Sequence, residues 1–305
     1  MKIIDSHQHV FWHGRNDADL AADMDRYGIQ TAWLLSWEIH PLEDSPRYHG
    51  ILNPEHLRAD GTHAGIPLSD LIRAHNRHPN RFLVGYCPHP LHPCASSLLE
   101  AAIQIHGVRV CGEWKFRLPF DDPRCLEIFR VAGHWGLPVV LHLDVPYLKD
   151  VQGRLVYQKN WYGGTVENLV RALRACPQTN FIGHAPGFWR EISGDAANDP
   201  SIYPDGPVQP DGLLAELLTN HSNLFADLSA DSALTALKRD LKHAREFILK
   251  FSDRLLFGRD FYGGELMTTL NSFRLPKKVR TQIYCENAER LAAPARQTGV
   301  APSGF

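Results

Sequence analysis

Two histidines one residue apart, His7 and His9, follow a short apolar run in the segment Met1-Lys2-Ile3-Ile4-Asp5-Ser6-His7-Gln8-His9-Val10. Alternate side chains of a strand share a face, so both imidazoles would point the same way. Such a pair at the end of a strand suits half of a metal site. Matching groups close later apolar runs: Glu113, His142, His184 and Asp260. Imidazole and carboxylate together suit a divalent ion, zinc, manganese or iron, and a carboxylate can bridge two ions.

These groups need strands to carry them. Apolar runs that read as strands are residues 2–7, 30–36, 81–87, 108–115, 138–142, 180–184, 223–227 and 254–260. Between them, helical patterns are expected over 17–27, 68–78, 96–106, 123–135, 165–175, 213–221, a long 232–251 and a last 274–291. Runs such as Trp33-Leu34-Leu35 and Val139-Val140-Leu141 are continuously apolar, as strands buried on both faces are. Eight strands alternating with helices, without a composition break, predict an α/β fold, a single (β/α)8 TIM barrel over 1–305. An open doubly wound sheet is the rival, but no Gly-x-Gly-x-x-Gly follows any strand. Barrel enzymes place their chemistry at the C-terminal ends of strands, where the histidines and carboxylates fall.

The composition is that of an ordinary globular protein, 44% hydrophobic and 22% charged over 305 residues. With a formal net charge of −2 and no basic stripe, nucleic acid and anionic membrane are not expected partners. No signal peptide and no run long enough to span a bilayer are read. Six scattered cysteines without a Cys-x-x-Cys pair fit a reducing cytoplasm.

Taken as an ordered set, several motifs resemble the amidohydrolase superfamily, in its amidohydrolase-related (type 2) branch. They are Asp5-Ser6-His7-Gln8-His9, Gly112-Glu113-Trp114-Lys115, Leu137-Pro138-Val139-Val140-Leu141-His142 and Ile182-Gly183-His184. Leu255-Leu256-Phe257-Gly258-Arg259-Asp260-Phe261 and Glu286-Asn287-Ala288-Glu289-Arg290-Leu291 complete it. The resemblance implies a barrel with a mono- or binuclear metal centre, usually hydrolytic. The Gly-Glu of the fourth strand is also similar to the TatD-like branch, where such a Glu bridges two metals.

Carried over residue by residue, His7, His9 and Asp260 hold one ion, His142 and His184 the other, and Glu113 bridges them. A carboxylated lysine is the bridge in many relatives; Lys115 stands two residues beyond Glu113 on the same face, and Glu113, already an anion, is the preferred reading. Zinc is the first expectation for the metal and manganese the second. The implied chemistry is hydrolysis of a small carboxylic derivative (lactone, amide or ester) or of a phosphoester. A metal-activated water attacks, and Asp260 takes its proton. The alternative is a metal-dependent decarboxylase of an aromatic or unsaturated acid, and a non-catalytic scaffold is the third reading. Lys115 and Arg117 are candidates for gripping a substrate anion, Trp12 for walling the pocket, Arg190 for closing over substrate, and Asp227 for orienting a metal ligand. A small-molecule substrate is the expected partner, and the resemblance allows a homodimer.

Overall fold

The computed structural model describes residues 1–293; residues 294–305, part of the expected barrel unit, lie outside the described residues. Eight parallel strands form the barrel: β1 Ile4–Gln8, β2 Thr31–Leu34, β3 Phe82–Val84, β4 Cys111–Trp114, β5 Val139–His142, β6 Phe181–His184, β7 Leu224–Asp227 and β8 Leu255–Leu256. Two hydrogen-bonded groups, β1-β2-β3 and β4-β5-β6-β7-β8, make up the wall. They are joined at one seam by a parallel bridge between Gly85 and Val110, with Tyr86 N–H donating to Val110 O at 2.9 Å. At the other seam Ser6 N–H donates to Phe257 O (2.9 Å) and Asp260 N–H to His7 O (2.8 Å), which closes β8 onto β1. The expected TIM barrel is the observed fold.

Inward side chains Ile4, Trp33, Leu35, Val110, Val140, Ile182, Phe225 and Leu256 fill the barrel centre. The outward faces of the same strands pack on the helices through Trp114, Phe129, Phe181 and their neighbours. The C-terminal helical stretch Lys277–Leu291, with a π-turn at Gln282–Glu286, sets Cys285, Ala288 and Leu291 against the inner cluster. It stops the N-terminal mouth of the barrel, tied by a Lys2–Glu289 ion pair of 2.7 Å. The open end is therefore the one that carries the strand C-termini.

The last expected helix begins at Lys277, three residues later than predicted, and all but one of the others lie within a residue of their expected bounds. The long helix predicted over 232–251 is two helices, Ala230–Lys238 and Leu241–Lys250. Asp240 divides them, because its carboxylate accepts the N–H groups of Lys242 and His243 and so caps the second. Glu265–Ser272, after β8, is a helix that the pattern did not reveal. Of the long loops, 37–66 is closed at its base by an antiparallel pair (Trp37–Glu38 with Gly65–Ile66), and 144–164 carries a hairpin (Tyr147–Lys149 with Leu155–Tyr157).

Candidate metal centre

On β5, β6 and β7 the alternation runs without interruption: Val140, Ile182 and Phe225 face the barrel centre, and two residues on, His142, His184 and Asp227 face its open end. The same holds on the last strand from Leu256 through Gly258 to Asp260, and Gly258 is needed there. A Cβ at that position would meet the His7 Cβ at 3.0 Å. β1 and β4 behave differently. Ile4 points inward, yet so does His7, an odd number of residues later; Val110 points inward, and so does Glu113. In both strands the pairing register shifts just there, between Asp5 and Gln8 and between Cys111 and Trp114. A bulge re-aims the following side chains, and the strands that need one to present a polar group to the site have one.

Six side chains meet at this end. His7 Nε2 lies 3.8 Å from Glu113 Oε1 and 3.6 Å from Asp260 Oδ1. His9 Nε2 lies 3.3 Å from Glu113 Oε2 and 3.5 Å from Asp260 Oδ1. His184 Nε2 lies 3.4 Å from Asp260 Oδ2 and 3.8 Å from Glu113 Oε1. His7, His9 and Glu113 form one group of mutually close ligand atoms, and Glu113, His142 and His184 a second. Glu113 belongs to both.

The tautomers follow from the partners on the far side of each ring. His7 Nδ1 donates to Asp227 Oδ2 at 2.8 Å and His9 Nδ1 to the Leu35 carbonyl at 2.8 Å, so each Nε2 is left with its lone pair turned inward. His184 Nδ1 faces Asp227 Oδ1 at 3.1 Å, with the Ser229 hydroxyl 2.7 Å away. Among the buried side-chain atoms without a hydrogen-bond partner, three converge here: His7 Nε2, Glu113 Oε2 and Asp260 Oδ1. Buried polar atoms are almost always paired, so an inward-facing imidazole nitrogen and two carboxylate oxygens left bare fit a cation between them.

The electrostatics agree. Burial works against charge on Asp227, but His184 and His7 outweigh it and hold the carboxyl far below its ordinary value. Burial likewise opposes ionisation of Asp260, and His7 and His184 overcome it and keep the group down at about 2. Glu113 is also held well below the carboxylate range, by Lys115 and His142 against the effect of burial. In return, Asp227 and Asp260 raise His184 to about 10 against desolvation. A pocket with this much fixed negative charge seeks positive charge, for which protons and a divalent ion compete.

His142 is placed otherwise than its neighbours. Its Nδ1 meets Glu113 Oε1 at 2.7 Å and its Nε2 meets Asp144 Oδ2 at 3.0 Å. Two hydrogen bonds among three groups need two protons, one more than a neutral imidazole brings. Asp144 was not singled out in the sequence, although it stands two residues after His142, the same spacing that pairs His7 with His9.

The residues expected around substrate divide. Lys115 lines a cavity of about 430 Å³ together with His142, His184, Asp260, Asp144, Arg47, Tyr162 and Tyr203. Arg117 does not line it, because its guanidinium donates to the Glu43 carbonyl (3.3 Å) and its N–H to Glu43 Oε1 (2.9 Å). Trp12 packs edge-on against the His9 ring at 4.8 Å and buttresses that ring rather than walling the cavity. Arg190 is buried and donates to the carbonyls of Ala196 and Asp199, tying down its own loop away from the centre. Arg47, in the long loop after β2, occupies the position expected for Arg117; nothing in its sequence surroundings marks it. A second cavity of about 510 Å³ adjoins the first at Ala230 and Asp260 and is lined by His13, Asp231, Phe261, Tyr262 and Glu265 among others.

Comparison with solved structures supports the barrel fold. An uncharacterised TIM-barrel protein from Bordetella bronchiseptica superposes with a TM-score of 0.63 at 15% identity, covering 96% of this chain and 99% of that one. A probable 2-pyrone-4,6-dicarboxylic acid hydrolase from Acinetobacter baumannii, seen with citric acid, gives 0.60 at 14%, covering 95% and 99%. A dihydroxybenzoic acid decarboxylase from a Polaromonas species, with bound manganese and 2-nitroresorcinol, gives 0.54 at 17%, covering 95% and 96%. Other neighbours at 15–17% identity include further decarboxylases and a protein described as a putative amidohydrolase from Staphylococcus aureus. No protein-family model matches the chain, and neither does any curated protein sequence. No helix among the described residues is long and apolar enough to cross a membrane.

Proposed function

We propose that the chain is a metal-dependent hydrolase that acts on a small carboxylic derivative, a lactone, amide or ester, or on a phosphoester. The observation that carries this is the convergence of the bare atoms His7 Nε2, Glu113 Oε2 and Asp260 Oδ1. His7, His9, Glu113 and Asp260 would hold one ion; Glu113, His142 and His184 would hold a second, zinc or manganese in either place. A divalent ion there supplies an acidified water and polarises the substrate's carbonyl or phosphoryl oxygen.

The protein's own groups do the rest. Asp227 fixes the rings of His7 and His184 through their Nδ1 atoms. Asp260 turns Oδ1 to the ion pocket and Oδ2 toward His184 Nε2 at 3.4 Å. A proton taken at Asp260 would stay there until it passes to the leaving group. Lys115, beside the centre, is placed to hold an anionic part of the substrate and so to fix the scissile bond. In the wall, burial of every ligand but the outer edge of His142 and Asp260 limits access of bulk water.

One observation favours a second reading, a decarboxylase. His142, held between Glu113 Oε1 (2.7 Å) and Asp144 Oδ2 (3.0 Å), is placed to hand a proton to a carbanion left when carbon dioxide departs. Two measurements separate the readings. Elemental analysis of metal-saturated protein should give two ions per chain; one ion, with Glu113→Gln retaining it fully, removes the bridged centre. Turnover in oxygen-labelled water should leave label in the hydrolysis product. Unlabelled product with release of carbon dioxide selects the decarboxylase.

A further inference from the structure

The two cavities beside Asp260 differ in charge, and the difference bears on what can bind. In the first, Arg47 and Lys115 are both without a carboxylate within 4.0 Å among the described residues. The Lys115 ammonium stands 4.5 Å from the centre of the Trp37 ring and 5.7 Å from that of Tyr162. The Arg47 guanidinium lies over the Tyr48 ring at 4.7 Å and donates only to the Tyr48 hydroxyl, at 2.7 Å. That hydroxyl is 2.6 Å from the hydroxyl of Tyr162, so the loop bearing Arg47 is joined to the far wall of the cavity. The facing carboxylates are Glu113 and Asp260, which belong to the centre, and Asp144, one oxygen of which is taken by His142.

The cation that lines the second cavity already has carboxylate partners. Arg259 is committed through Nε to Asp5 (2.6 Å) and through Nη1 to Asp23 (2.6 Å), and its remaining Nη2, though without a hydrogen-bond partner, is buried. What remains there is Asp231, Glu265 paired with Lys238, His13, and the aromatic faces of Phe261 and Tyr262. Aromatic rings and carboxylates favour an apolar or cationic group and penalise an anion.

Resting on the reading of a catalytic centre at His7, His9, Glu113 and Asp260, we infer that the substrate is asymmetric and carries its one carboxylate on the Arg47–Lys115 side. The other end, across Asp260, is uncharged, aromatic or basic. Arg47 and Lys115 are the specificity-determining residues. A guanidinium and an ammonium meeting one carboxylate give charge-assisted bonds that a neutral amide of the same shape cannot make. A second carboxylate on the far side would face Asp231 with no partner.

The test is calorimetric titration of the purified chain with benzoate, benzamide and isophthalate, alongside elemental analysis of the same samples. Benzoate is expected to bind at least ~10-fold more tightly than benzamide, and isophthalate no more tightly than benzoate. Arg47→Gln and Lys115→Gln should each weaken benzoate ~10-fold or more, leaving benzamide and metal content unchanged, while Arg117→Gln changes neither. If Lys115→Gln fails to fold, Arg47→Gln at the exposed rim carries the test alone. Equal affinity for benzoate and benzamide, no benzoate binding, insensitivity to Arg47→Gln, or a further tenfold gain with isophthalate overturns the inference. Loss of the catalytic reading looks different: selective benzoate binding would persist in a protein that takes up no metal.

Discussion

Asp227 contacts no substrate, yet its replacement by Asn should disable the centre. The carboxylate accepts two Nδ1–H groups, from His7 at 2.8 Å and His184 at 3.1 Å, and is fully buried. An Asn has one accepting oxygen, so one of the two rings must face an N–H group. If that ring is His7, it can bond to the amide only by moving its proton to Nε2, the atom aimed at Glu113 and Asp260. A protonated Nε2 cannot bind an ion. Loss of such an outer hydrogen bond typically lowers metal affinity about 10–100-fold, equivalent to about 1.4–2.7 kcal/mol. The unmatched buried donor adds a folding penalty of about 1–3 kcal/mol. Competition between the protein and a chelating dye measures the first term, and urea unfolding of the metal-free chain measures the second. Ser229→Ala, which removes a neighbour of the same carboxylate but leaves both imidazole bonds, should cost much less of either. Metal affinity of Asp227→Asn within twofold of the unmodified chain would refute the tautomer argument.

Asp260→Asn keeps the size and one possible ligand oxygen but removes the proton acceptor; kcat should drop about 10²–10⁴-fold with a much smaller loss of metal, measured on one preparation. Burial raises the Glu191 carboxyl from 4.5 to about 7 in the folded chain. Below 4.5 the group is neutral whether folded or not; above that, only the unfolded carboxyl ionises freely, so stability is lost as pH rises toward 7 and the deficit then stays constant. Glu191→Gln should therefore match the unmodified chain near pH 4 and exceed it by about 3 kcal/mol at pH 8 in denaturant titrations, and an equal difference at both pH values would show that the group is not perturbed. Trp114, fully buried between Phe116 and Phe129, should cost about 3–5 kcal/mol when cut to Ala, with the denaturant slope unchanged.

The barrel, and the direction of several side chains of the candidate site, were readable from local pattern alone. Continuous apolar runs such as Val139-Val140-Leu141 read as strands covered on both faces, and a polar residue placed two beyond an inward one keeps its direction. That parity is enough to bring His142, His184 and Asp227 to one end, as Val140, Ile182 and Phe225 show. It is not enough for His7 and Glu113, whose inward direction depends on register shifts on β1 and β4. A bulge is a mismatch between two strands and leaves no mark in either strand alone. The substrate side was less legible for a related reason. Arg117 is nearer to Glu113 in sequence than Arg47, but the Glu43 carbonyl and carboxylate capture it, whereas Tyr48 and Tyr162 bring Arg47 in from another loop. A strand inherits the direction of its side chains from backbone geometry repeated at every residue. A long loop takes its course from the contacts at its two walls, and those exist only once the barrel has brought distant segments together.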